Sequence, residues 1–375
     1  MKVKTIKIRH YARSFTFEFH STQTFRRKAN SIILELKFDN GISGWGESIP
    51  MKYITGETSP TVIEAIREYF SPVLLSRSIF EPDDIEALLG ELEEACLKNH
   101  KPYYNTALGA VDIALFDALG KQQDVPVINL FPPIVRDKAL YSISIPFLPL
   151  QKIQDLFYRL PEKKVREIKV LVGKNEQENV ERVSFVRALF GDSVDIRLEN
   201  NGIWTLDQAI ANLERIKKFN ISAVEQPLAK HDIQGLHNLR KASGIPIIAD
   251  ESICSLTDAE HLIEQGACDI MNIKISKCGG LLKSKRIAQL AQSHNVSCQM
   301  GAHVGETEIL RSAGKAFALT TPNLRFFEGA SFLLFEDAWK KASFEITKED
   351  ALTGIGLGIK PSILQSILNH CSGPV

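Results

Sequence analysis

Apolar and polar positions alternate along the first fifty residues. The opening stretch "MKVKTIKIRHYARSF" interleaves charged and apolar side chains, and "SIILELKFDNGISGWGES" holds two strand-like runs joined at Asp39-Asn40-Gly41, a strong hairpin signal. From about residue 58 to 120 the pattern becomes helical. Thr58 and Ser59 stand before Pro60 as a helix start, and "NTALGAVDIALFDALGK" repeats apolar residues at three- and four-residue spacing. This first part therefore reads as antiparallel strands followed by helices, an α+β unit over residues 1–132.

After Pro132-Pro133 the texture changes. Short apolar runs, "ALYSISIP", "EIKVLV", "VDIRLE", "ISAVEQP", "IPIIAD", "CDIMNIKI", "VSCQMGA" and "NLRFFEG", alternate with amphipathic stretches. Strand–helix alternation implies parallel strands. Eight such runs in roughly 200 residues fit an α/β TIM-type barrel, here over 133–344, better than an open sheet. The segment "ASFLLFEDAWKK" after the last run is too irregular for an ordinary closing helix, and residues 345–375 are expected to return to the first domain.

The chain has 375 residues, 44% hydrophobic and 24% charged, with 45 basic and 45 acidic side chains. A formal net charge of zero gives no global attraction for nucleic acid or an anionic membrane. The N-terminus lacks the apolar core of a signal peptide, and no apolar run approaches the roughly 18 residues of a membrane span. Six cysteines without CxxC spacing suit free thiols in a reducing cytoplasm.

In a barrel of this kind the chemistry lies at the C-terminal ends of the strands. Glu199, Glu225 and Asp250 fall there, with Lys274 in the next run; the successive intervals are 26, 25 and 24 residues, about one strand–helix unit each. A single carboxylate at a strand end is commonly a helix cap. Three in register repel one another unless a cation lies between them, and an all-oxygen set suits Mg2+.

"VEQPL", "IIADES" and "NIKISKCGG", together with "GISGWGES", "ITGET" and "ALGAVDIALFDALGK" nearer the N-terminus, resemble the enolase superfamily in its muconate-lactonizing branch. That branch includes muconate cycloisomerases, o-succinylbenzoate synthases and dipeptide epimerases. The resemblance implies a (β/α)7β TIM-type barrel with an α+β capping domain and one catalytic Mg2+, with Mn2+ as a substitute. It further implies a small carboxylate substrate and a homo-oligomer. The chemistry it implies is removal of the proton α to a carboxylate through a metal-stabilised enolate, with Glu199, Glu225 and Asp250 as ligands, Lys274 as base, Lys169 assisting with the carboxylate or intermediate, and Asn201 and Glu251 supporting the ligands. A lysine can serve as base if neighbouring cations depress its pKa.

Several positions depart from the family pattern. Relatives carry Lys-x-Lys at the end of the second barrel strand, where this chain reads Lys169-Val170-Leu171. Leucine has no proton to give, which favours elimination or cycloisomerisation with a single lysine base over racemisation or epimerisation of an amino acid or dipeptide derivative. A non-catalytic metal- or carboxylate-binding barrel is a third reading. Glu199 stands where the family has Asp, and Glu328 where dipeptide epimerases hold an ammonium group with Asp-x-Asp. His303, beyond the seventh strand, is either a loop histidine or the missing acid. Tyr53, Thr55 and Arg26 are expected to meet the substrate from the cap. Lys277 and Gly279-Gly280 read as a turn into the next helix.

Overall fold

The computed structural model describes residues 1–101, 104–159, 165–329 and 344–374. Three antiparallel strands open the chain: β1 (Val3–His20), β2 (Phe25–Phe38) and β3 (Ser43–Ser48). The β2–β3 turn is the Asp39-Asn40-Gly41 hairpin. Gly41 takes a φ of 86°, and the Asn40 side chain accepts from the Ile42 amide at 3.1 Å. The paired arms of β1 and β2 extend well past β3, to His20 opposite Phe25, so their tip projects as a two-stranded arm. Thr58 caps the helix Ser59–Glu64 through the Thr61 amide. The buried helix Asn105–Gln123 lies against β3, where a Cβ at Gly46 would run into the Ala110 carbonyl.

All eight apolar runs are strands: β4 (Lys138–Ile145), β5 (Glu167–Leu171), β6 (Asp195–Glu199), β7 (Ile221–Glu225), β8 (Ile247–Ala249), β9 (Ile270–Ile273), β10 (Ser297–Met300) and β11 (Leu324–Glu328). They pair in parallel in chain order, and β11 returns to β4, closing a barrel. A helix separates each consecutive pair, which is the expected (β/α)7β order. Such strands are covered on both faces, one by helices and one by the barrel interior, so they read as continuous apolar runs. A small apolar cluster of Ala223, Ile248, Ile270 and Phe326 fills part of the interior.

A short strand β12 (Glu345–Thr347) pairs antiparallel with β4, and Ser372 and His370 exchange backbone hydrogen bonds with His10 and Ala12 of β1. The segment "ASFLLFEDAWKK" lies outside the described residues. The cap is keyed to the barrel by two buried carboxylates. Asp112 accepts from the Leu281 and Leu282 amides at 2.6 and 3.2 Å, at the start of the helix Leu281–Ser293. Glu47 accepts from the Thr307 amide and hydroxyl, the hydroxyl at 2.7 Å, at the start of the helix Glu308–Leu319. Carboxylates placed at helix N-termini satisfy otherwise unpaired amides, and here they fix the cap over the barrel mouth.

Candidate active site

Side chains alternate along a strand, so residues two apart share a face. On β5 the inward set is Glu167, Lys169 and Leu171; on β6 it includes Arg197 and Glu199; on β7, Ala223 and Glu225. Asp250 and Lys274 follow directly on the ends of β8 and β9. One carboxylate oxygen from each of Glu199, Glu225 and Asp250 lies within 4.8 Å of the others. Lys169 Nζ sits 3.0 Å from Glu199, 3.2 Å from Glu225 and 2.7 Å from Glu328. Lys274 Nζ contacts Asp250 at 2.5 Å. In the closed strand order the acidic triad spans β6 to β8, with Lys169 on β5 at one flank and Lys274 after β9 at the other. Gly301 at the end of β10 leaves room for the lysine, because a Cβ there would come within 2.8 Å of Lys274 Cγ.

Interior polar groups complete the arrangement. Asn272 and Gln299 donate to the two oxygens of Glu225 at 2.7 and 2.9 Å. Asn201 donates to Glu199 at 2.7 Å and to Glu251 at 3.3 Å. Lys277 lies in the expected turn before the helix Leu281–Ser293 and is buried there: its ammonium binds Asp250 Oδ1 at 2.7 Å and the carbonyls of Asp250 and Asn272 at 2.6 and 3.0 Å. Arg197 stacks its guanidinium 4.0 Å from the Phe326 ring centroid and stands 3.5 Å from Glu167 and from Glu328.

The charges do not balance. Glu167, Glu199, Glu225, Asp250, Glu251 and Glu328 face Lys169, Arg197, Lys274 and Lys277, with Arg26 on the cavity wall, so acids outnumber bases by one. Burial, with Glu199, Glu328 and Asp250 nearby, pushes the Glu225 carboxyl up to about 8 even though Lys169 opposes the shift. Burial and the adjacent Asp250 raise Glu251 to about 7. A divalent cation among the triad oxygens would more than offset that excess, and carboxylate oxygens are the ligands Mg2+ takes. These residues therefore fit such an ion.

The acids around the two lysines raise their pKa values. Burial alone would lower both, but surrounding carboxylates outweigh it. Lys169 is held above its ordinary pKa by Glu199, Glu225 and Glu328, and Lys274 by Asp250, Glu225, Glu251 and Glu199. His303, in contrast, is driven well below its ordinary value by burial and by Lys274 and Lys277.

A cavity opens above the triad between barrel and cap. It is lined by Lys169, Leu171, Glu199, Asn201, Asp250, Glu251, Lys274, His303 and Glu328 from the barrel, and by Phe19, Arg26, Met51 and Tyr53 from the cap. Arg26 and Arg27, adjacent on β2, point opposite ways. Arg27 pairs with Glu18 at the surface, whereas Arg26 faces the cavity and reaches the Val304 carbonyl at 3.5 Å. Thr55 does not line this cavity. It lines a neighbouring one with Tyr104, Asn105 and Lys230. Glu328 holds a cation, but that cation is the protein's own Lys169. Leu171 is buried on the cavity wall, one pleat repeat above Lys169.

Comparison with known proteins agrees with this geometry. The family model for the mandelate racemase / muconate lactonizing enzyme N-terminal domain matches residues 3–131, and the enolase C-terminal domain-like model matches 153–364. The chain is 30% identical over 340 residues to an L-amino acid-D/L-Glu epimerase of Francisella philomiragia, covering 88% of this chain and 92% of that one. It is 26% identical over 340 residues to an N-succinyl-L-Arg/Lys racemase of Bacillus cereus, covering 90% of each. A dipeptide epimerase of Enterococcus faecalis, solved with Mg and the dipeptide L-Leu-L-Tyr, superposes with a TM-score of 0.84 at 25% identity, covering 96% of this chain and 100% of that one.

Proposed function

This chain is an enzyme of isomerase or lyase type belonging to the mandelate racemase / muconate lactonizing branch of the enolase superfamily, and we propose that it moves the proton α to the carboxylate of an N-substituted amino acid. The observation that carries this reading is the pair of lysines flanking the triad, Lys274 after β9 and Lys169 on β5, both lining one cavity. A Mg2+ ion held by Glu199, Glu225 and Asp250 would supply charge against the oxyanion that develops when the α-proton leaves, and would engage Asp250 so that Lys274 is freed. Lys274 takes the α-proton from one face. Lys169 stands toward the other face as the proton donor, reaching past Leu171. Tyr53 and Arg26 hold the substrate from the cap, Arg26 meeting an anionic group distal to the reacting carbon.

Leu171 by itself favours elimination or cycloisomerisation with Lys274 as the single base. The relatives named above are epimerases and racemases, which supports proton transfer at one carbon over elimination. The second reading stands on one observation: Leu171 fills the wall from which a second lysine would reach the upper cavity, while Lys169 is engaged by three carboxylates. Incubating N-acyl amino acids and dipeptides in D2O with Mg2+ separates the two. Epimerisation gives α-deuterium with loss of optical purity. Elimination gives loss of the leaving group's mass without inversion, cycloisomerisation gives a product of unchanged formula with a ring formed or opened, and a merely binding barrel gives none of these. A chelator is expected to abolish the exchange and added Mg2+ to restore it.

A further inference from the structure

The projecting tip of the β1–β2 arm hydrogen-bonds to the segment that follows β6 at the metal-binding end of the barrel. Thr22 Oγ1 lies 2.8 Å from Asn201 Oδ1 and 3.1 Å from the Asn200 carbonyl. The Gln23 side-chain amide donates to the Asn201 carbonyl. Asn201 sits in the left-handed region, with φ 54°, and turns its Nδ2 toward Glu199 and Glu251. Two carboxylates accept from that nitrogen, so Oδ1 must face the other way, and the donor waiting there is the Thr22 hydroxyl. Were the amide reversed, Oδ1 would oppose the Glu199 carboxylate.

Glu199 has one more rotatable bond than the aspartate usual at this strand end. Its carboxylate therefore has one more torsion to restrain, and Asn201 restrains it at Oε1 while Oε2 contacts Lys169. We infer that Thr22 is a positioning residue: by fixing the Asn201 amide it holds Glu199 in the geometry that takes a divalent cation, and so couples docking of the arm tip to loading of the triad. Coupling of this kind is reciprocal, so the ion must favour the docked tip by the same factor that the tip favours the ion. The tip, Ser21 to Thr24, also lines the cavity through Ser21 and Thr24, so its docking shapes the substrate space.

This inference rests on the metal site proposed above, and its test separates the two. Mg2+ is titrated calorimetrically into metal-stripped wild type, Thr22→Val and Thr22→Ser, and hydrogen exchange of the arm tip is followed with and without Mg2+. Valine keeps the shape and loses the hydroxyl; serine keeps the hydroxyl. The expected result is Mg2+-dependent protection of the tip in wild type. In Thr22→Val the dissociation constant rises about fivefold or more and the protection disappears, and Thr22→Ser restores both. Equal Mg2+ affinity and equal protection in wild type and Thr22→Val overturn the inference and leave the metal site standing. If wild type itself takes up no Mg2+, both fall.

Discussion

Replacing Lys274 with alanine is expected to lower turnover by about 100- to 10,000-fold, the range over which a positioned acid/base contributes to proton transfer, while leaving the divalent-ion site able to load. The Lys274 ammonium contacts Asp250 at 2.5 Å, so in the metal-free chain it competes with any cation for that carboxylate. Its removal should leave Mg2+ affinity equal or higher. Lys277 still neutralises Asp250 from the other side, which argues that the variant folds. Paired measurement of Mg2+ affinity and turnover checks this. Loss of both together would mean that Lys274 serves the architecture, and full turnover would remove it from the chemistry.

The second large effect concerns stability. Lys277→Met keeps much of the side-chain volume but removes the ammonium that binds Asp250 and two main-chain carbonyls inside the barrel. Breaking a buried ion pair from one side leaves charge and acceptors unsatisfied, at a cost of about 3–5 kcal/mol. Lys274 retains one contact with Asp250, so the lower end of that range is expected. A urea or guanidinium midpoint well below that of wild type is the predicted result. An unchanged midpoint would show that Asp250 is satisfied without Lys277.

Much of this was legible because two periodicities differ. Parallel strands covered on both faces give unbroken apolar runs, and all eight stood out between amphipathic helices. The triad was legible because one strand–helix unit repeats at nearly constant length, putting Glu199, Glu225 and Asp250 on one rim. What escaped depended on contacts that no local pattern encodes. Lys277 lies in a turn before the next helix, as its sequence indicates. Yet the Cys278 amide bonds to the Lys274 carbonyl at 2.9 Å, a single helical turn that carries Lys277 back inward beside Asp250. Asn272 and Gln299 belong to no motif, standing as single polar positions in short strands, although both face Glu225. Thr55 lies on the cap segment expected to close over the barrel and meet the substrate, but it lines a neighbouring cavity rather than the one above the triad. Thr22 gave no signal at all, being 179 residues from its partner Asn201.

The charge state of the lysines was the other point that sequence could not give. A base near neutrality calls for a depressed pKa, whereas both ammoniums are held up by carboxylates. The same excess of acid that raises them makes the site receptive to a divalent ion, so the two properties have one origin. Leu171 then limits how the second face of the substrate is served, and that limit is where the epimerase and elimination readings part.

The account rests on Glu199, Glu225 and Asp250 gathering around one divalent ion with the Lys274 amine facing it. Anomalous diffraction at the manganese edge from crystals of the wild-type chain soaked in Mn2+ tests this most directly. The predicted map has one strong peak within bonding distance of an oxygen from each of the three carboxylates, with Lys274 Nζ turned toward the cavity above it. A map without that peak, or with the Lys274 side chain directed into bulk solvent, would contradict it.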